Sequence, residues 1–218
     1  MIRGILFDLD GTLIDSESAF SNCFIDTLNN DFGAKLSLED YKEYELEQNS
    51  RLISYAKKSE MIDDDISNSY IMNIIYNRYE KYFIDIIKKE ETKRNFELIR
   101  TLKHDYLLGL VTTCRRYYLD MLNKEENIYE LFDVIIARED VKNLKPNSEA
   151  YLKALSSLNL SNNEVIAIED SKRGVDSAIN ANVRTIKVNS FTKRPYTDNR
   201  TIEEENIESA IRRIKAII

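Results

Sequence analysis

Short apolar runs that stop at polar turns recur along this chain, and their spacing carries the first structural reading. Ile2 to Phe7 is such a run, ended by Asp8-Leu9-Asp10-Gly11; it reads as a buried strand meeting a turn. Leu107 to Val111, Val134 to Ile136, Val165 to Ile168 and Val183 to Val188 repeat the pattern. Between them, Tyr117 to Glu125, Ser148 to Leu158 and Arg173 to Ala181 read as helices. Strands alternating with helices from residue 95 onward predict an α/β fold, a Rossmann-like parallel sheet with helices on both faces.

Residues 15 to about 90 break this rhythm. Ser16 to Leu28, Leu38 to Glu47, Arg51 to Ser59 and Ser67 to Lys89 all carry helical spacing and no strand. A helical block between the first and second strands is expected to be an inserted cap domain. The division is then a core domain of residues 1–15 and 91–218 and an α-helical cap domain of residues 16–90. The tail from Ile202 to Ile218 reads as one amphipathic helix, with Ile207, Ile211, Ile214 and Ile218 on its apolar face.

Composition narrows the function classes. The 218 residues carry 38 acidic against 31 basic groups, a formal charge of −7. No basic stripe is evident, which argues against nucleic-acid binding through counterion replacement. Cys23 and Cys114 are too few for a disulfide framework and suit a reducing compartment. No signal-peptide segment is recognisable, and no stretch approaches the roughly 20 apolar residues of a membrane span. The expectation is a cytoplasmic protein, a monomer or weak homodimer, with neither membrane nor nucleic-acid partners.

Asp8 and Asp10 lie two apart at a strand end, so both carboxylates leave the same face. The carboxyl edge of a parallel sheet is where ligands bind. Paired carboxylates repel unless a cation or a shared proton compensates. A second acidic pair, Glu169-Asp170, follows the run Val165 to Ile168, so it can meet the first across the sheet edge. Several carboxylate oxygens suit Mg²⁺, a hard cation that keeps waters and bridges to phosphate. Thr112 closes another strand and Lys145 precedes Pro146; the first is placed to donate to a phosphoryl oxygen, the second to offset charge. Each residue has a plainer reading: helix entry for the acids, a cap for the threonine, a solvated loop for the lysine.

Their order brings a family into view. Asp8-Leu9-Asp10-Gly11-Thr12-Leu13-Ile14-Asp15-Ser16 is followed by Leu110-Val111-Thr112-Thr113. Glu139-Asp140-Val141 then leads to Lys145-Pro146, and Ile168-Glu169-Asp170-Ser171 precedes Gly174. This resembles the haloacid dehalogenase superfamily, in the helical-cap branch of phosphatases and β-phosphoglucomutase-like enzymes. The resemblance implies a small phosphate monoester as substrate and Mg²⁺ as cofactor. Asp8 would be the nucleophile forming an aspartyl-phosphate, and Asp10 the acid and then the base. Asp8, the backbone carbonyl of Asp10 and Asp170 would hold the metal, with Glu169 nearby or in its water shell. Thr112 and Lys145 would hold phosphoryl oxygens, with Thr113 and Arg115 as further phosphate-binding candidates.

Some positions depart from the family pattern. Leu144 stands where Gly often precedes Lys-Pro, Ser148 where a second Pro is common, Thr113 for a common Asn, and Asn182 for a frequent Gly. Asn tolerates the left-handed backbone that such a Gly supplies. Weaker candidates each have a structural alternative: Arg116 at a helix start, Gln48, Asn49 and Arg51 on a polar cap stretch, and the Tyr76, Tyr79, Tyr82 and Phe83 series as cap packing. His104, the single histidine, and Cys114 are assigned no chemistry, and Lys57 and Lys58 find no support for a Schiff base. A phosphosugar mutase is the alternative of the same class, and a catalytically idle binding module the alternative of another. Asp10 and the full acidic pair weigh against a metal-free haloacid dehalogenase.

Overall fold

A computed structural model describes residues 1–45, 49–191 and 198–217, without the side chains of 42–45, 49–51 and 217. The chain divides into two compact units, Met1–Asp15 with Ile87–Ile218, and Ser16–Ile86. The first unit holds a six-stranded sheet of β1 (Gly4–Phe7), β2 (Leu107–Val111), β3 (Val134–Ile136), β4 (Val165–Glu169), β5 (Arg184–Val188) and β6 (Thr201–Glu204). The order is β3-β2-β1-β4-β5-β6, and every neighbouring pair is parallel. β1 and β4 sit at the centre and are buried throughout, as sequences apolar on both faces require.

The second unit is helical: α1 (Ser16–Phe32), α2 (Leu38–Glu45), α3 (Asn49–Lys58) and α4 (Asn68–Ile87, which ends one residue into the first unit). Its aromatic side chains pack with one another. Phe20 meets Tyr79 edge-on at 5.2 Å between centroids, Phe24 meets Tyr41 at 5.5 Å, and Tyr79 meets Phe83 at 6.0 Å. Tyr82 donates instead to Asp26 at 2.5 Å. The tyrosine series is therefore largely a packing stripe. Lys57 donates to the Asp64 and Ile66 carbonyls, which fixes it as the cap of its own loop.

The sheet unit adds α5 (Glu90–Arg100), α6 (Arg116–Glu126), α7 (Ile128–Leu131), α8 (Glu149–Leu158), α9 (Lys172–Asn180) and α10 (Ile207–Ile217). α8 packs on β2 and β3, α9 on β4 and β5, and α10 on β5, β6 and α5. Leu6, Val111, Ile136, Val165 and Ala167 meet Ala150, Tyr151, Ala154, Leu155 and Leu158 of α8 in one core. Burying each large aliphatic side chain contributes roughly 1.5–3 kcal/mol. Three asparagines end helices or turns in the left-handed region, Asn127, Asn159 and Asn182, at φ 48°, 52° and 56°. Asn182 thus takes the backbone that a glycine would supply at its position.

The main departures from the sequence reading lie where α4 gives way to α5 and in the tail. The helix expected to reach Lys89 ends at Ile87, and a separate helix, α5, begins at Glu90. Its buried residues are Thr92, Phe96 and Ile99 alone, a narrow stripe among charges. The tail is not one helix from Ile202. Thr201–Glu204 pairs with β5 as the edge strand, since β-branched Thr201 and Ile202 suit an open edge. Asn206 then starts α10 by accepting the Ser209 N–H at 3.0 Å on its side-chain oxygen. Ile207, Ile211 and Ile214 of α10 are buried as expected. Ile218 lies outside the described residues.

Candidate active site

Sheet register decides which acids meet. Leu6 lies beside Ala167 in the β1–β4 ladder, so by alternation Asp8 and Glu169 leave the same face. The Asp8 N–H donates to the Ile168 carbonyl at 3.0 Å, carrying the pairing one step past the end of β1. That is the face α8 covers, and both acids are buried there, Asp8 at 6% exposure and Glu169 at 0%. Carboxylate oxygens of Asp8, Glu169 and Asp170 lie within 4.8 Å of one another. The Asp10 carboxylate is not part of that group. It turns to Thr112, whose hydroxyl donates to Oδ2 at 3.3 Å and accepts the Cys114 N–H at 3.0 Å.

The turn between them is tight. The Leu9 carbonyl accepts the N–H groups of Thr12, Leu13 and Ile14, and Gly11 N–H donates to the Ile14 carbonyl at 2.8 Å. Gly11 has φ +81°, and a Cβ there would stand 2.3 Å from Asp170 Oδ2. Only glycine combines that backbone with that approach. Asn95 of α5 donates to the Leu13 carbonyl at 3.0 Å, tying the turn down from outside.

Lys145 is the cation of the site. Its Nζ donates to Asp8 Oδ1 at 2.6 Å, Glu169 Oε1 at 2.5 Å and the Val111 carbonyl at 2.8 Å, using its three protons. Burial on its own would lower its pKa, but Asp8 and then Glu169 raise it, so the ammonium stays charged. Burial first, then the charge of Asp8, pushes the Glu169 carboxyl up to about 8 against the opposing pull of Lys145. Tyr151 of α8 completes the group. Its hydroxyl donates to Glu169 Oε1 at 2.5 Å, and its ring centroid lies 5.4 Å from Lys145 Nζ.

Two features fit a divalent cation. Glu169 Oε2 is buried with no hydrogen-bond partner, a costly state unless a proton or a cation occupies it. Once all three carboxyls are ionised, one ammonium leaves two formal negative charges for a cation to balance. Oxygen-only donors of this kind suit Mg²⁺ or Ca²⁺ better than softer metals. Gly174 makes room for the arrangement, because a Cβ there would stand 1.9 Å from Glu169 Oε2.

The remaining candidates separate. Thr113 is partly buried and Arg115 is exposed at the N-terminal end of α6. Arg116 is bound locally instead: its N–H donates to Glu139 at 3.1 Å and its guanidinium to Asp140. Cys114 is partly buried, and desolvation holds its thiol pKa well above the ordinary value, unsuited to a nucleophile. His104 is exposed beside Asp105. Gln48 and the side chains of Asn49 and Arg51 lie outside the described residues. Among the described residues no helix is long and apolar enough to cross a membrane. Sequence reasoning missed Tyr151, although it lies on the buried stripe of α8 with Ala154, Leu155 and Leu158. A hydroxyl in that stripe was the available signal. It missed Asn95 as well, since nothing local links residue 95 to the turn at Leu13.

Comparison with known proteins gives the same picture. The family model described as haloacid dehalogenase-like hydrolase matches residues 5–188. Pyrophosphatase PpaX of Bacillus cereus (strain B4264) is 30% identical over 202 residues, covering 90% of this chain and 88% of that protein. CbbY from Rhodobacter sphaeroides, solved in complex with phosphate, is 24% identical with a TM-score of 0.72 over 95% of each chain. β-Phosphoglucomutase from Clostridium difficile is 18% identical with a TM-score of 0.68, over 99% of this chain and 96% of that one. The last two likenesses concern the fold. The family match covers most of the chain, and the chain belongs to the haloacid dehalogenase-like hydrolases as a phosphatase-type enzyme.

Proposed function

We propose that this protein is a Mg²⁺-dependent phosphatase that hydrolyses a small phosphorylated metabolite through an aspartyl-phosphate on Asp8. The observation that carries the reading is the buried Asp8–Glu169–Asp170 group, in which Lys145 bridges Asp8 and Glu169 and one Glu169 oxygen is left without a hydrogen-bond partner.

Asp8 attacks phosphorus and the bond to the leaving oxygen breaks. Asp10 gives that oxygen a proton, and then takes one from the water that attacks the phosphoenzyme. That water cleaves the aspartyl-phosphate, releasing inorganic phosphate and restoring Asp8. Lys145 offsets negative charge beside Asp8, and Thr112, whose hydroxyl donates to Asp10, orients the acid and would turn that one proton to a phosphoryl oxygen when Asp10 carries its own. Asp8, Asp170 and the Asp10 backbone carbonyl would hold Mg²⁺, with Glu169 beside them, and the bound ion would screen the charges of phosphate and carboxylate. Thr113 and Arg115 are proposed as further phosphate contacts. The helical unit, Ser16–Ile86, is proposed as a cap that selects the organic part of the substrate. A reducing, cytoplasmic setting and a monomer or weak homodimer complete the reading.

A panel of phosphorylated metabolites and inorganic pyrophosphate, assayed with and without Mg²⁺, tests it. Mg²⁺-dependent phosphate release from one small ester class is expected. No release from any member would sink the phosphatase reading. Isomerised sugar phosphate in place of free phosphate would move the assignment to a phosphosugar mutase.

A further inference from the structure

Lys145 reaches Asp8 across 137 positions of sequence, from a loop with no regular secondary structure of its own. A flexible four-carbon side chain places its ammonium reproducibly only if its backbone is fixed. That backbone is held from two sides. From α8, Glu149 accepts the N–H groups of Lys142 at 3.0 Å and Asn143 at 2.9 Å. These bonds hold the Glu149 carboxyl down at about 2.

The other side is α9. Arg173 donates to the Lys145 carbonyl from Nη2 at 2.7 Å and Nε at 3.2 Å. Ser177 donates to the Asn147 carbonyl at 2.5 Å, and Asn180 to the Pro146 carbonyl at 3.1 Å. Residues 173, 177 and 180 fall at i, i+4 and i+7, one stripe of the helix. Three consecutive carbonyls of the loop are thus each met by a side chain of one helix face. The loop lacks the Gly and second Pro of the family pattern, having Leu144 and Ser148. The same helix begins directly after Glu169-Asp170 and carries Gly174, which admits Glu169 Oε2.

We propose that Arg173, Ser177 and Asn180 are positioning residues that act through Lys145, so that α9 sets the cation and the acidic pair in one rigid frame. The inference rests on the phosphatase reading above, in which Lys145 serves the reaction. Arg173 is exposed, so Arg173→Met keeps the side-chain stem and leaves the core intact; Arg173→Lys restores one donor.

The test measures three quantities in wild type, Arg173→Met, Arg173→Lys and Ser177→Ala. They are kcat and KM for p-nitrophenyl phosphate with Mg²⁺, and the rate at which acetic anhydride acylates Lys145 relative to exposed Lys153, read by peptide mass spectrometry well below the melting temperature. Arg173→Met and Ser177→Ala are expected to lower kcat roughly ten-fold with KM nearly unchanged, short of the roughly hundred-fold that a displaced catalytic group costs. Lys145 acylation is expected to rise several-fold in both, and Arg173→Lys to return both readouts toward wild type. A lower melting temperature with wild-type kcat and wild-type acylation would overturn the inference and leave only a structural role. A wild type that turns over no phosphate ester would instead sink the phosphatase reading. Acylation still decides whether the α9 stripe fixes Lys145.

Discussion

Replacing Lys145 by Met removes one charge from the centre of the site and keeps an unbranched side chain of similar length. In the wild type, that charge lies 2.6 Å from Asp8 and 2.5 Å from Glu169, all three groups buried. Each attraction is about 6 kcal/mol at an effective dielectric near 20. Relief from desolvating the ammonium offsets much of the loss. The net cost of leaving buried acids without their cation is about 3–5 kcal/mol. At roughly 2–4 °C per kcal/mol for a chain of this size, the metal-free variant should melt on the order of 10 °C lower. The cost must depend on pH. Glu169, pushed up to about 8, holds its proton at pH 6 and spares the variant part of the repulsion. Thermal melts in EDTA at pH 6 and pH 9 should therefore show the larger deficit at pH 9. The variant's turnover should fall by roughly a hundred-fold or more. A deficit under about 1 kcal/mol at pH 9, or one equal at both pH values, refutes the claim that Lys145 is the counter-charge of this cluster.

Two further outcomes follow from the same geometry. Gly174→Ala in an ordinary helix interior would add up to about 1 kcal/mol of stability. Here the new Cβ would stand 1.9 Å from Glu169 Oε2, in a residue held by Lys145 and Tyr151, so lower stability and weaker Mg²⁺ binding by calorimetry are expected, and a stabilised variant with normal Mg²⁺ affinity would count against the packing described. For Glu169 itself, the folded-state pKa is raised from 4.5 to about 8. The folded state therefore binds the proton more tightly, and stability is fully present below about 4.5 and lost as pH rises through about 8. Metal-free wild type should lose stability over that window more steeply than Glu169→Gln, and parallel denaturation curves for the two would contradict the assignment.

Much of this was legible in the sequence, for reasons that differ residue by residue. Strands β1 to β5 announce themselves because each is an apolar run ended by a polar turn. β6 does not, since Thr201–Glu204 is a half-exposed edge whose partner is supplied only by β5. α5 hides because three buried positions are scattered among seven charged or amide side chains in Glu90–Arg100. The acids of the site follow from strand ends and motif order, which bring the two acidic pairs to one sheet edge; that Asp8 shares its face with Glu169 while the Asp10 carboxylate turns to Thr112 depends on the β1–β4 register. Lys145 could be named but not connected, and the reach of Nζ to both acids depends on how α8 and α9 hold its loop. Tyr151 offered only a weak signal, a hydroxyl in the buried stripe of α8, because its role depends on a tertiary contact with Glu169. Gly174 was visible as a letter after the fourth motif; its reason, a carboxylate oxygen where a Cβ would be, needed the fold.

In the proposed reaction Asp8 carries the phosphoryl group. A single turnover with the preferred substrate, acid-quenched and reduced with borohydride, converts an aspartyl-phosphate into homoserine at the modified position, which peptide mass spectrometry locates. Homoserine is expected at residue 8, formed only with Mg²⁺ and substrate present, and none in Asp8→Asn, which should also have lost turnover. Homoserine at another aspartate, or undiminished phosphate release by Asp8→Asn, would contradict it.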